Sequence, residues 1–206
     1  MPLVLERLHH RWQSSQILIY DVSQARGGPD QIVAASDHGA ARRTGADHSC
    51  GDQMPRTSAG LLPYRRRDGR LEVFLVHPGG PFWAGKDAHA WSVAKGEVEQ
   101  DEDLLHAAHR EFAEETGLTL AGSATPLAPV RQSAGKIVHV WAIETEIDPT
   151  GIQSNSFPLE WPPRSGQVRQ FPEVDRAAWF DLAEARSKIH KGQVALLDEM
   201  KSKLGG

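Results

Sequence analysis

GEVEQDEDLLHAAHREFAEETGL, residues Gly96 to Leu118, decides how the rest of the chain is read. Eight acids stand in it, Glu97, Glu99, Asp101, Glu102, Asp103, Glu111, Glu114 and Glu115, against one arginine, Arg110. Leu105, Ala108 and Phe112 recur at three- and four-residue steps, which predicts an amphipathic helix over 104–116, and Gly117 supplies its stop. Glu111, Glu114 and Glu115 then lie at i, i+3 and i+4, within about 100° of arc on that helix. Like charges so placed repel by roughly a few tenths of a kcal/mol per pair. A hard divalent cation reverses the cost, and an oxygen-only set suits Mg²⁺ or Mn²⁺, ions that usually act together with substrate phosphates. On carboxylate spacing alone, an acidic face at these steps is more often a solvated helix surface.

The complete string discriminates between these readings. Gly96, five residues, Glu102, seven residues, Arg110-Glu111, apolar Phe112, one residue, Glu114-Glu115, one residue, Gly117 and apolar Leu118 fill nine specified positions in register. This string resembles the signature box of the Nudix hydrolase family. The resemblance implies an α/β/α sandwich with a mixed sheet and a loop-helix-loop catalytic box. It also implies Mg²⁺-dependent hydrolysis, with Mn²⁺ as an alternative ion, of a nucleoside diphosphate linked to another group. By position, Glu111, Glu114 and Glu115 resemble the helix acids that bind metal, one of them acting as base on water. The Gly96 carbonyl resembles a further metal ligand, and Arg110 and Glu102 resemble the charged pair bracing loop against helix.

Flanking residues bear on the substrate. Trp91-Ser92-Val93-Ala94-Lys95-Gly96 resembles the W-x-x-P-K-G lead-in of members that hydrolyse dinucleoside polyphosphates, with Ala94 where proline is usual; Lys95 is expected to reach the phosphate chain. Arg131 and Lys136 flank a bend and are further candidates for phosphate contacts. The aromatic stretch Ser154 to Pro163 offers Trp161 as a base-stacking residue, with Phe157 and Trp83 as alternatives, and Glu160 as a metal ligand or base from outside the box. Glu173, just before the closing strand, reads as packing. Diadenosine tetraphosphate is the leading substrate. Oxidised dNTPs or ADP-ribose are the alternatives, and a catalytically silent nucleotide-binding module is the alternative of another class. His106 and His109 read as surface residues, and no phosphate-loop motif is present.

Outward from the box, Gly60–Tyr64 and Leu71–His77 read as a hairpin whose Asp68-Gly69 turn supplies positive φ, with Arg65, Arg66 and Arg67 at its solvated tip. Short strands are expected at 90–93, 129–132, 136–146 and 177–180, a polar loop over 148–171, and helices over 182–188 and 193–204. Strands on both sides of a central helix imply the mixed sheet.

Bulk properties set the limits. A net charge of −4 over 206 residues argues against a basic nucleic-acid binder, and one cysteine, Cys50, excludes an internal disulfide. No apolar run approaches a membrane span, and Glu6, His9 and His10 interrupt any leader-like core, so the cytoplasm is expected. A homodimer is compatible with the sequence. Residues 1–53 are poor in core-forming residues and read as an extension, flexible or the product of a mis-assigned start with Met54 as the true one, ahead of a domain spanning 54–206.

Overall fold

The computed structural model describes residues 56–132 and 135–204. The expected extension, including Cys50, lies outside the described residues, as do Ser133 and Ala134. Among the described residues nine strands and three helices follow one another: β1 (Thr57–Arg67), β2 (Arg70–Pro78), β3 (Ala94–Glu97), α1 (Leu104–Thr116), β4 (Ala124–Pro126), β5 (Val130–Arg131), β6 (Ile137–Glu144), β7 (Ser156–Glu160), β8 (Val168–Pro172), β9 (Val174–Asp181), α2 (Leu182–Lys188) and α3 (Val194–Leu204). Single 3₁₀ turns stand at Pro149–Gly151 and Lys191–Gln193.

The main sheet runs β4-β6-β1-β2-β9, with β3 paired to β1 and β5 to β6. β1 and β6 are parallel while the other pairs are antiparallel, which makes the sheet mixed. β1 is the organising strand. One of its edges takes β2 along Tyr64–Arg67 and β3 along Ser58–Leu61, so β2 and β3 part from each other there. That fork carries Lys95 and Gly96 to the mouth of the box.

Each face of the sheet is covered by helix, as alternating side chains require. On one face α1 buries Ala107, Ala108 and Phe112 against Ala59, Leu61, Phe74 and Val76. Phe112 is fully buried with its ring 6.4 Å from that of Phe74, and its truncation to Ala would cost about 3–5 kcal/mol. On the other face α2 and α3 bring Ala185, Leu196, Leu197 and Met200 onto Leu62, Leu75, Val138 and Val140.

The box helix spans Leu104–Thr116, as expected, capped by Asp103 accepting from the His106 N–H and stopped by Gly117 at φ 73°. Both residues of the Asp68-Gly69 turn are left-handed, at φ 50° and 74°. Three expectations change. The anticipated strand at 90–93 contributes only two isolated bridges, and the regular strand begins at Ala94. The 148–171 loop instead contains a separate β7–β8 hairpin, where Pro158, Pro162 and Pro163 mask the strand pattern. The arginines at the first hairpin are not simply solvated. Arg65 pairs with Glu72 and Glu146 and lies over the Trp179 ring, and Arg66 donates to the Leu204 carbonyl.

Candidate active site

Arg110 is the hub of the box. Its Nε and one terminal nitrogen each lie 2.7 Å from the two oxygens of Glu102, a bidentate pair that ties the loop to the helix. The same terminal nitrogen donates to the Glu97 carbonyl at 3.1 Å, while the other reaches Glu111 at 2.6 Å and Glu114 at 3.3 Å. Glu102 also accepts from the Glu99 N–H. Hydrogen bonds from Arg110 above all hold the Glu102 carboxyl down at about 2, and the carboxylates in turn raise the affinity of Arg110 for its proton. The charged pair expected from sequence is therefore brought together.

Glu111 faces inward rather than along a solvated stripe, and it is 5% exposed. Its carboxylate lies directly on the backbone of Gly96, where a Cβ would stand 1.8 Å from Oε2. Any side chain at position 96 would displace the acid. Glu115, half-buried one turn on, accepts from the Lys95 N–H at 3.0 Å. Burial pushes its pKa up to about 8, with Glu111 and Glu173 raising it further and Lys95 opposing them. Glu114 is the more exposed of the three and leans toward Arg110.

Other candidates separate into those near these acids and those distant from them. Lys95 is 7% exposed and Lys136 2%, so neither is a surface lysine; Arg131 is exposed. Burial and the nearby Lys95 bring the Lys136 ammonium down to about 8, and Glu97 lies 3.9 Å away in partial compensation. Glu160 is exposed at the far end of β7, where it accepts from the Gly166 N–H across the hairpin turn. Four strand residues, about 13 Å at ~3.3 Å each, separate it from the hairpin base. The acid from outside the box that raises Glu115 is instead Glu173, at that base, where its N–H bonds Asn155 and its carbonyl accepts from Gly79. Nothing in a lone Glu before an apolar strand had distinguished it from a packing residue. Trp161 packs edge-on to Phe82 at 5.4 Å beside the hairpin turn, while Trp83 and Phe157 are buried. His106 is exposed, as expected, and touches Glu102 at 3.3 Å.

The donors present suit a hard divalent ion: Glu111, Glu114, Glu115 and the Gly96 backbone offer oxygen alone, and to the burial that chiefly raises Glu115 the charge of Glu111 adds. Among the described residues no three of His, Cys, Asp and Glu converge on one point, because Arg110 draws Glu111 and Glu114 to itself.

Comparison with known proteins bears on the family and the fold. The C. elegans Ap4A hydrolase in a binary complex superposes with a TM-score of 0.53 at 24% identity, covering 73% of this chain and 98% of that one. The NUDIX domain of Shewanella oneidensis NrtR, complexed with ADP ribose, gives 0.51 at 17% identity, over 74% and 90% of the two chains. Both likenesses concern the fold. In sequence, 63 residues are 44% identical to an RNA pyrophosphohydrolase of Caulobacter vibrioides, covering 28% of this chain and 37% of that protein. The chain thus spans just over a third of the length of that curated relative. No helix among the described residues is long and apolar enough to cross a membrane. Because the NUDIX domain family matches residues 54–200, well over half of the sequence, this chain belongs to the Nudix hydrolases, a family that generally uses divalent metals.

Proposed function

We propose that this chain hydrolyses a phosphoanhydride bond in a nucleoside diphosphate linked to a further group, with diadenosine tetraphosphate or a similar dinucleoside polyphosphate as substrate and Mg²⁺, or Mn²⁺ in its place, as the ion. The supporting observation is the two-sidedness of β3. Its Gly96 and Lys95 backbone holds two carboxylates on the α1 side, while the Lys95 side chain projects from the opposite face. A chain of phosphates crossing that strand meets acids at one point and cations at the next.

Glu111, Glu114, Glu115 and the Gly96 carbonyl would hold the ion, whose charge would neutralise phosphate oxygens and polarise phosphorus toward water. Arg110, fixed by Glu102, sets the position of Glu111. Glu115 receives the proton of the attacking water, its basicity raised by burial and by Glu111 and Glu173. Lys95 and Lys136 bind the phosphates, which need positioning and charge stabilisation rather than a covalent nucleophile. Residues 54–206 form the catalytic unit of a cytosolic enzyme.

The test is product analysis after incubating the full chain and Mg²⁺ with diadenosine tetraphosphate, ADP-ribose, oxidised dGTP and triphosphorylated RNA. Cleavage of the anhydride, fastest with diadenosine tetraphosphate, is expected. Tight binding without turnover of any of them would identify a silent module instead.

A further inference from the structure

His77, next to last in β2, is a buried polar residue outside the acid site. It is 0% exposed and stands between two acceptors: Nδ1 lies 2.8 Å from Asp175 Oδ1, and Nε2 lies 2.9 Å from the Lys86 carbonyl oxygen. A carbonyl only accepts, so Nε2 carries hydrogen. Lone pairs facing each other at 2.8 Å would repel, so a further proton lies between Nδ1 and the Asp175 carboxylate. Arg176 donates to the same Lys86 carbonyl at 3.2 Å, and the Trp91 ring stands edge-on, 5.1 Å from the imidazole.

This contact closes a β-bulge. In the β2–β9 ladder His77 pairs with Arg176 and Pro78 with Val174, which leaves Asp175 as the extra residue of β9. The packing records the shift: Val174 joins Ala177 and Trp179 on the α1 face, at odd steps along the chain where unbroken alternation needs even ones. Immediately upstream stands Glu173, its carbonyl accepting from the Gly79 N–H at 2.9 Å and its own N–H donating to Asn155 at 2.8 Å. Glu173 is also the acid from outside the box whose charge acts on Glu115. His77 thus fixes the bulge on one side and, through Lys86, the loop after β2 on the other, and the Glu173 backbone is held between them.

We propose that His77 is a positioning residue of the hydrolase, which locks the β9 bulge to the loop after β2 and so keeps Glu173 within reach of Glu115. This rests on the hydrolase reading above and extends it to a residue that makes no contact with the reacting atoms. Without the two bonds of the ring, Asp175 is free to return to the ladder, and a slip of one residue turns the side chains upstream of it to the other face.

His77→Phe keeps a ring of similar size and removes both bonds. Amide hydrogen exchange of the full chain reads the clamp without turnover: the Gly79 and Glu173 N–H groups should exchange about tenfold faster in the variant or more, with the β1 amides unchanged. With diadenosine tetraphosphate and Mg²⁺, kcat should fall about tenfold with KM little altered, the mark of a misplaced group rather than of lost phosphate binding. Asp175→Ala, at an exposed residue, breaks the same bond outside the core and should show the same pattern; Asp175→Asn, whose amide oxygen still accepts from Nδ1, should lose less. The double variant decides. Glu173→Gln alone should lower kcat, and adding His77→Phe to it should lower kcat no further, whereas a merely structural loss would multiply. Unchanged exchange at Gly79 and Glu173, or full additivity in the double variant, would overturn the proposal. A wild type that cleaves no anhydride would remove the hydrolase reading, while faster exchange in His77→Phe would still uphold the clamp on Glu173.

Discussion

Strand β3 divides two polar regions that solve the problem of buried charge in opposite ways. On the α1 side Arg110 reaches Glu102, Glu111, Glu114 and the Glu97 carbonyl, so the strongest cation of the region is surrounded by acceptors. On the far side, the Ser58 hydroxyl, the Gln193 amide and a Glu97 carboxylate oxygen are buried without hydrogen-bond partners beside two lysines, the carboxylate oxygen 3.9 Å from Lys136 Nζ. The first region is complete within the chain and fixes geometry. The second mixes neutral donors with a carboxylate acceptor and is less completely hydrogen-bonded.

The sharpest break in that contrast is Glu115→Gln. It removes a metal-binding charge on the proposed reading, and should cut turnover by about a thousandfold or more at ~1.4 kcal/mol per decade, with the melting temperature retained. Gly96→Ala comes next: the new Cβ would occupy the place of the Glu111 carboxylate, and turnover should fall about a hundredfold as that acid is displaced, visible in kcat at saturating metal. Breaking the satisfied side by Arg110→Ala should destabilise the fold by about 2–4 kcal/mol, because Glu102 and Glu111 lose their partner while half-buried or buried; urea unfolding measures it.

The two glutamates also predict opposite pH behaviour. Glu102 is depressed from 4.5 to about 2, so its stabilising pair is present above pH 4.5 and is lost as pH falls toward 2. Glu115 is raised, so ionising it costs stability as pH climbs from 4.5 toward 8. Without divalent metal, the melting temperature of wild type relative to Glu115→Gln should therefore decline between pH 5 and 8, and Mg²⁺ should restore it. The smallest effect expected is that of deleting residues 1–53: the family match begins at Met54, and a truncated chain should fold and turn over like the full one.

The box was legible because its constraints are local. Helix period, the Asp103 cap, the Gly117 stop and the acid spacing all lie within 23 consecutive residues, and α1 came out with the expected ends. What escaped depends on distant pairing. Ser58 and Gln193 lie 135 positions apart in number, and only the β1–β3 register and the turn after α2 bring them over the same strand. Glu173 became visible only when the bend before β9 brought its charge to bear on Glu115, and Glu160 stands exposed at the turn of the β7–β8 hairpin, where it accepts from the Gly166 N–H. The β7–β8 strands were hidden for another reason: three prolines and polar side chains blur the alternation that marks a strand, on a ribbon exposed along most of β8.

The central claim is that the acids of the box direct water onto phosphorus in a nucleotide pyrophosphate. Hydrolysis of diadenosine tetraphosphate in ¹⁸O-labelled water with Mg²⁺, read by mass spectrometry of the products, tests it directly. The account predicts one labelled phosphate oxygen per anhydride cleaved by wild type, and about a thousandfold less labelled product from Glu115→Gln in the same time. Absence of anhydride cleavage by wild type, or undiminished labelling by the variant, would contradict it.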